Sequence, residues 1–215
     1  MREFILDKYH TWQDWRLTLT AQDVTPPEPK TNYLELDGAN GSLDLTEALT
    51  GEVTYSDRTV KASFWTSEGT FQERLRVLQS IVNALHGKKV TIIAPDDPEH
   101  YFLGRVRVKS QAWDQVHTEL TIEAVCDPWR YAIRETERRV DVSGAEDVVI
   151  NNEGRKTLSP VLNVTGAVAI TFNGATTQLT DGSYKITDLR LTPGVNVVGV
   201  SGSGSVTFVY REAML

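Results

Sequence analysis

The stretch DDPEHYFLGRVRV, residues 96–108, gathers Asp96, Asp97, Glu99 and His100 within five positions. Three carboxylates and an imidazole this close together are the raw material of a metal site or an acid–base pair. Neither chemistry fits the spacing. A calcium loop alternates oxygen ligands around a Gly and closes on a Glu, whereas Pro98 interrupts that register and no Gly or later Glu completes it. Zinc requires His or Cys at organised intervals, but His10, His86, His100 and His117 stand apart and Cys126 is the single cysteine. Carboxylates that share general acid–base work come from different elements facing a cleft, and neighbours such as Asp96 and Asp97 point in different directions. Asp96, Asp97 and Pro98 are therefore expected to form a solvated turn ahead of the alternating strand GRVRV.

Other chemistries have less to stand on. No Gly-x-Ser-x-Gly joins a strand to a helix, and GSGS (202–205) lacks a following helix, so it reads as a turn. No Gly-x-x-x-x-Gly-Lys occurs, and GANG (38–41) precedes a polar loop. Cys126 ends the alternating run LTIEAVC and reads as a buried structural thiol. The sequence thus gives no catalytic, cofactor-binding or metal-binding residue and points away from an enzyme. Sugar binding on an aromatic platform is the stronger competitor. Beyond residue 137 its candidates are Phe172, Tyr184, Phe208 and Tyr210. Phe172, Phe208 and Tyr210 fall in alternating strands as core residues, leaving Tyr184 as the stacker.

The elements that carry these residues are mainly β. WRLTLT (15–20), TVKASFW (59–65), GRVRVKS (104–110) and ELTIEAV (119–125) alternate apolar and polar residues, as half-buried strands do. KVTIIA (89–94) is more continuously apolar and reads as buried on both faces. One segment has a helical period: Phe71, Leu75, Leu78, Val82 and Leu85 recur at spacings of four and three. Thr70 and Glu73 form a capping-box signature, and Gly87 supplies a left-handed stop. Residues 25–51 carry three prolines and three glycines; so long an irregular run inside a domain marks a functional or interaction loop. A net charge of −7 argues against a nucleic-acid-binding surface. The N-terminus lacks a signal-peptide core and no segment is apolar enough to span a bilayer, so the chain is expected to fold in a cytoplasm.

Composition shifts after the last of the five tryptophans, Trp129. The remainder is rich in Val, Thr, Gly and Asn. Asn173-Gly174 between VAITF and ATTQL is a hairpin signal, Asp181-Gly182 and Pro193-Gly194 mark turns, and VVGVSGSGSVTFVY reads as two strands around a Ser/Gly turn. A boundary within 134–142 divides the chain into residues 1–137 and a small all-β unit, 138–215.

Several stretches together resemble the distal tail (Dit) proteins of long-tailed phages and prophages. They are PPEPKTNYLELDGANGSLDLTEALTGEVTYSDRTVKASF (26–64), NALHGKK (83–89), DDPEHYFLGRVRV (96–108) and IEAVCDPWRY (122–131). Gly38, Gly41, Leu43, Asp44, Leu45, Tyr55, Arg58, His86, Gly87, Asp96, Asp97, Tyr101, Gly104, Arg105, Cys126, Asp127 and Pro128 fill the family's pattern. Asp37 stands where a Pro is expected. NNEGRKTLSPVLNVTG and LTPGVNVVGVSGSGSVTFVYRE resemble the family's C-terminal β-sandwich, galectin-like in some members.

The resemblance implies a mainly β fold: an N-terminal β-sandwich-like ring domain with one α-helix, then a small C-terminal β-sandwich. It implies a structural tail-tip or baseplate protein of the virion, assembled in the bacterial host cytoplasm. Such a protein forms a hexameric ring around a central channel, joining the tail tube to the host-facing hub. The partners implied are further copies of the chain, the tail tube protein, the hub or tail-associated lysin, the tape measure protein and a receptor-binding protein. No specific nucleic-acid binding, membrane insertion, cofactor or metal is implied. The alternative is a carbohydrate-binding receptor-recognition module of a tail tip. Asn32, Tyr33, Gly38, Gly41, Leu43, Asp44 and Leu45 are the residues expected to reach a neighbouring subunit. Whether Arg105 pairs with Asp96 and Asp97 is a question the sequence leaves open.

Overall fold

The computed structural model describes residues 2–113 and 116–215, with the side chains of 110–113 left aside. The chain is mainly β and divides into two compact units, residues 1–130 with Leu215, and residues 131–214. The sequence boundary at 137/138 falls inside a continuous strand, Thr136–Asn152.

In the first unit the strands are β1 (Ile5–Leu6), β2 (Tyr9–His10), β3 (Thr18–Val24), β6 (Arg58–Thr66), β7 (Lys89–Ala94), β8 (Asp97–Trp113) and β9 (Thr118–Ala132). Their order across the sheet is β2-β1-β7-β8-β9-β6-β3. β4 (Tyr33–Glu35) and β5 (Ser42–Asp44) form a separate two-stranded ribbon. Alternation does what the sequence expects: in β6, Arg58, Val60, Ala62, Phe64 and Thr66 turn inward and Lys61 and Trp65 outward. β7 differs from its expected double burial. Val90, Ile92 and Ala94 are buried and Thr91 and Ile93 between them are half-buried, because helix and sheet cover one face only.

Helix α1 (Phe71–Leu85) starts at Thr70 with both halves of the capping box formed, and Gly87 follows it at φ 78°. Its buried stripe is rotated from the one expected. Arg74, Leu78, Ile81 and Leu85 are buried, while Phe71 is 37% exposed and Leu75 and Val82 are half-buried. Arg74 is what shifted the reading: Nη1 donates to the Gly69 carbonyl (2.8 Å) and Nε to Thr118 Oγ1 (3.3 Å), so the guanidinium is buried with its donors occupied. The core of this unit joins Leu78, Ile81 and Leu85 to Phe4, Leu6, Phe64, Ile92, Phe102, Val106 and Ile122. Phe4 and Phe64 meet edge to face at 6.1 Å.

The second unit holds β10 (Thr136–Asn152), β11 (Val161–Phe172), β12 (Ala175–Leu179), β13 (Gly182–Lys185) and β14 (Gly194–Tyr210). Asn173 and Gly174 both take positive φ in the expected two-residue turn. The SGSGS segment, however, is no turn. β14 runs unbroken for 17 residues, paired throughout with β10 and over residues 199–209 with β11. Gly202 and Gly204 sit at φ 124° and 147°, and a Cβ there would lie 2.2 and 2.0 Å from the carbonyl oxygens of Ala167 and Thr165. Only a hydrogen fits, so the strands pass close together and the sheet curls at this line. Residues on both sides of it, Leu162, Val164, Val168, Ile170, Val198, Val200, Val206 and Phe208, share one core.

Candidate functional site

The loop marked by its length and its Pro/Gly content is an arm, closed at its root by backbone hydrogen bonds. Pro29 bridges Tyr55, Lys30 N donates to the Thr54 carbonyl (2.8 Å) and Ser56 N to Glu28 O (2.9 Å). These bonds close a stem at residues 28–30 and 54–56. Arg58 anchors it from below and is only 6% exposed. Its Nε donates to Thr25 O (3.0 Å), its Nη1 to Pro128 O (3.3 Å), and its guanidinium lies 5.0 Å from the centre of the Phe102 ring. Burial lowers its pKa, and the like charge of Arg130 acts the same way, yet a guanidinium keeps its proton. Carbonyl dipoles and an aromatic face therefore hold a buried cation in place. Tyr55 meets Trp129 edge to face at 5.7 Å. Tyr55, Arg58 and Pro128, dispersed in sequence, are thus brought together at the arm's root.

Beyond the stem the arm supports itself weakly. Asn32 N donates to Thr46 Oγ1 (3.1 Å), Leu45 N to Asn32 O (2.8 Å) and Thr46 N to Asp44 Oδ1 (2.9 Å). Hydrogen bonds from the Thr46 side chain and backbone hold the Asp44 carboxyl below its ordinary pKa. Tyr33 pairs with Asp44 and Leu34 with Leu43. Gly38 and Gly41 take φ of 82° and 78° in the tip between the two strands. Each strand has three residues, and a two-stranded hairpin is marginal by itself in water. Tyr33, Leu34, Leu36, Leu43 and Leu49 are all at least 45% exposed.

The remaining residues singled out in the sequence form two other clusters. At the helix exit, Arg105 Nη1 donates to Gly87 O (2.5 Å) and Val108 N to His86 Nδ1 (3.2 Å). Gly104 packs where a Cβ would come 2.3 Å from Cys126 Sγ. Cys126 is 1% exposed and burial pushes its thiol up to about 12, which makes it a packing group. Asp127 pairs with Lys89 at 3.3 Å.

The acidic hairpin is the third cluster, and here the expected turn moves. The turn residues are Pro95 and Asp96, with Ala94 opposite Asp97, so Asp97 and Pro98 already belong to β8. The hairpin closes over two residues because Ala94 can pair directly with Asp97. Asp96 bonds to Arg2 and Gln22. Asp97 holds His100 Nδ1 (2.7 Å) on one oxygen and Arg130 Nη1 (2.9 Å) on the other. Arg105 therefore takes the Gly87 carbonyl, and the carboxylates answer to other cations. Tyr101 is half-buried one position on. No His/Cys/Asp/Glu group suited to a metal ion is found among the described residues. Sequence reasoning missed Arg2, Gln22, Arg130, Phe102 and Trp129, which no local spacing connects to the motifs.

In the second unit Tyr184 is half-buried against the core, as is Phe172, while Phe208 and Tyr210 are buried. The expected stacker is therefore a packing residue whose hydroxyl lies 3.4 Å from Thr180 Oγ1.

Both units are mainly β, and the first carries an exposed arm. No family model and no curated protein matches the sequence. Among solved structures, the chain is similar to the SPP1 Dit (gp 19.1) protein, described as a paradigm of the hub adsorption apparatus in Gram-positive infecting phages. The TM-score is 0.70 at 13% identity, over 98% of this chain and 99% of that one. A conserved protein of unknown function, PA5104 from Pseudomonas aeruginosa PAO1, is aligned over 89% of this chain and 94% of that one, at 12% identity. Its TM-score is 0.28, too low for any argument. The first likeness is one of fold, and it runs through both units.

Proposed function

We propose that this chain is a structural component of a phage tail tip, a distal tail protein whose first unit assembles into a hexameric ring. The ring joins the tail tube to the host-facing hub around a central channel. The observation that carries this reading is the full-length fold likeness to a phage Dit protein, supported by an arm built to be covered. In this role residues 1–130 form the ring, and the arm around Asn32, Tyr33, Gly38, Gly41, Leu43, Asp44 and Leu45 reaches a neighbouring copy. The remaining motif residues fix the arm's root and the helix exit. Partners are the tail tube protein, the hub or tail-associated lysin, the tape measure protein and a receptor-binding protein, and the site of action is the tip of the virion. The chain works by assembly and not by catalysis.

Replacing residues 32–51 with an Asn-Gly turn tests this, since it keeps the stem of residues 28–30 and 54–56. The expected outcome is a folded chain by circular dichroism that no longer gives rings in negative-stain electron microscopy, alone or with tail tube protein. Rings unchanged by the deletion would reject the role given to the arm. Antibodies against the chain that label particles elsewhere than the tail tip would reject the location.

A further inference from the structure

The sheet of the second unit ends on β10, which pairs with β14 on one side and with no strand on the other. That pairing is continuous from Thr136 to Asn152, and no Pro, Lys or bulge, the common guards of an edge strand, interrupts it. The register fixes which backbone groups face the open side. Phe172 and Ala175 flank the two-residue turn at Asn173-Gly174, so they exchange both hydrogen bonds with each other. Bonding direction alternates along a strand. Thr171 therefore turns to Gly199 of β14, and Val198 and Val200 turn to Val148 and Glu146 of β10. The N–H and C=O of Ala145, Asp147, Val149 and Asn151 are left pointing to the open edge. The Asn151 carbonyl accepts from the Tyr210 hydroxyl (2.8 Å); among the described residues no backbone group bonds to the other three from that side.

The side chains beside this edge offer two kinds of ground. Val149 stands opposite Val197, and Asn151 opposite Val195; Val149, Val197 and Val195 are 56%, 54% and 70% exposed. Asp147 and Thr171 flank Gly199 on either side in the register. A Cβ on Gly199 would come 3.2 Å from Thr171 Cβ and 3.6 Å from Asp147 Oδ1. The missing side chain leaves a cleft of about 460 Å³ lined by Glu146, Asp147, Thr171, Gly199 and Ser201, with no Lys, Arg or His at its wall.

We propose that β10 receives an extended segment of a second protein, running antiparallel, with an aliphatic residue on Val149 and a Lys or Arg two residues later in the cleft beside Asp147. Strand addition of this kind takes its affinity from the main chain and its selectivity from pockets for alternate side chains. Residues opposite Val149 and Asp147 fall on one face, two positions apart, which sets the aliphatic-x-basic order. β10 itself holds no such triplet, since Thr136 and Glu137 stand two positions before Arg138 and Arg139. Pairing with a second copy of β10 therefore leaves the cleft without its cation. The contact concerns the second unit and stands apart from the ring assigned to the first.

A fluorescein-labelled peptide, Thr-Ile-Thr-Val-Thr-Lys-Thr amide, tests the surface when titrated with the full chain and read by anisotropy. The expected result is binding of this peptide and about tenfold weaker binding when Glu replaces its Lys. Asp147→Lys should reverse that preference, and Val149→Lys should weaken the Lys peptide. Both positions are exposed, and circular dichroism checks that the variants fold. N-methylation of the peptide's valine, whose N–H meets the Val149 carbonyl, should abolish binding, whereas N-methylation of the threonine after it should not. Equal affinity of the Lys and Glu peptides, equal effects of the two methylations, or no binding at about 1 mM chain overturns the proposal. Light scattering separates the other occupant. A mass that falls in the Val149→Lys chain without peptide gives this edge to a second copy and discards the foreign segment.

Discussion

The arm of the first unit and the curled sheet of the second are both rich in turns and glycines, yet they solve opposite problems. The second unit has 17-residue strands whose apolar residues alternate onto one face. The glycine line lets that face curl until Leu162, Val206 and Phe208 are buried completely. The arm has three-residue strands and apolar residues on both sides of its ribbon, so no curling can hide Leu34 and Leu43. Strand length and phase, more than composition, decide whether a β segment completes its own core or waits for a partner.

The comparison breaks most sharply at the glycine line. Gly204→Val forces a side chain against the Thr165 carbonyl at a strained φ, and should destabilise the second unit by about 3 kcal/mol or more, read by urea denaturation. Phe208→Ala should cost about 3–5 kcal/mol in the same assay. Tolerance of both would mean that the curl does not make the core. At the arm's root, Arg58→Met removes the donors to Thr25 and Pro128. The expected loss is about 1–3 kcal/mol, with faster hydrogen exchange confined first to residues 28–30 and 54–56.

A smaller effect is expected at the helix cap. Thr70→Ala should cost about 1 kcal/mol at neutral pH. Glu73 is held below its ordinary pKa by hydrogen bonds from the Thr70 backbone and then its side chain. A depressed carboxylate stabilises the fold above its unfolded pKa, 4.5, and that contribution disappears as pH falls through the lower folded value. The difference between wild type and Thr70→Ala should therefore shrink in acid; a constant difference would mean that Glu73 does not share in the cap. The smallest change in stability belongs to Leu49→Ser on the arm, 95% exposed. It should leave the chain's midpoint within about 0.5 kcal/mol of wild type. If it lowers stability as core substitutions do, the arm is packed against its own chain and the contrast with the second unit fails.

Much of the fold was legible. The capping box, the outward Lys61 and Trp65, and the Asn173-Gly174 turn follow from periods and torsions that act over a few residues. The errors have one source. Arg74 took a core position because Gly69 and Thr118 satisfied it, and SGSGS continued as strand because β10 and β11 hydrogen-bonded it on both sides. Asp97 left its expected turn because Ala94 paired with it. Each time, a partner remote in sequence changed the cost of a local conformation. The same limit applies to the candidate site: loop length marked the arm, but nothing local linked Arg58 to Pro128 or Tyr55 to Trp129.

Alone, the sequence determined a mainly β chain with one capped helix and an irregular acidic segment too long to be a simple connection. These depend on residue type and on spacings of two to four positions. The tertiary structure decided that Arg58 anchors the arm and that Asp97 belongs to His100 and Arg130. Those relations depend on sheet order and register, which bring together side chains tens of residues apart.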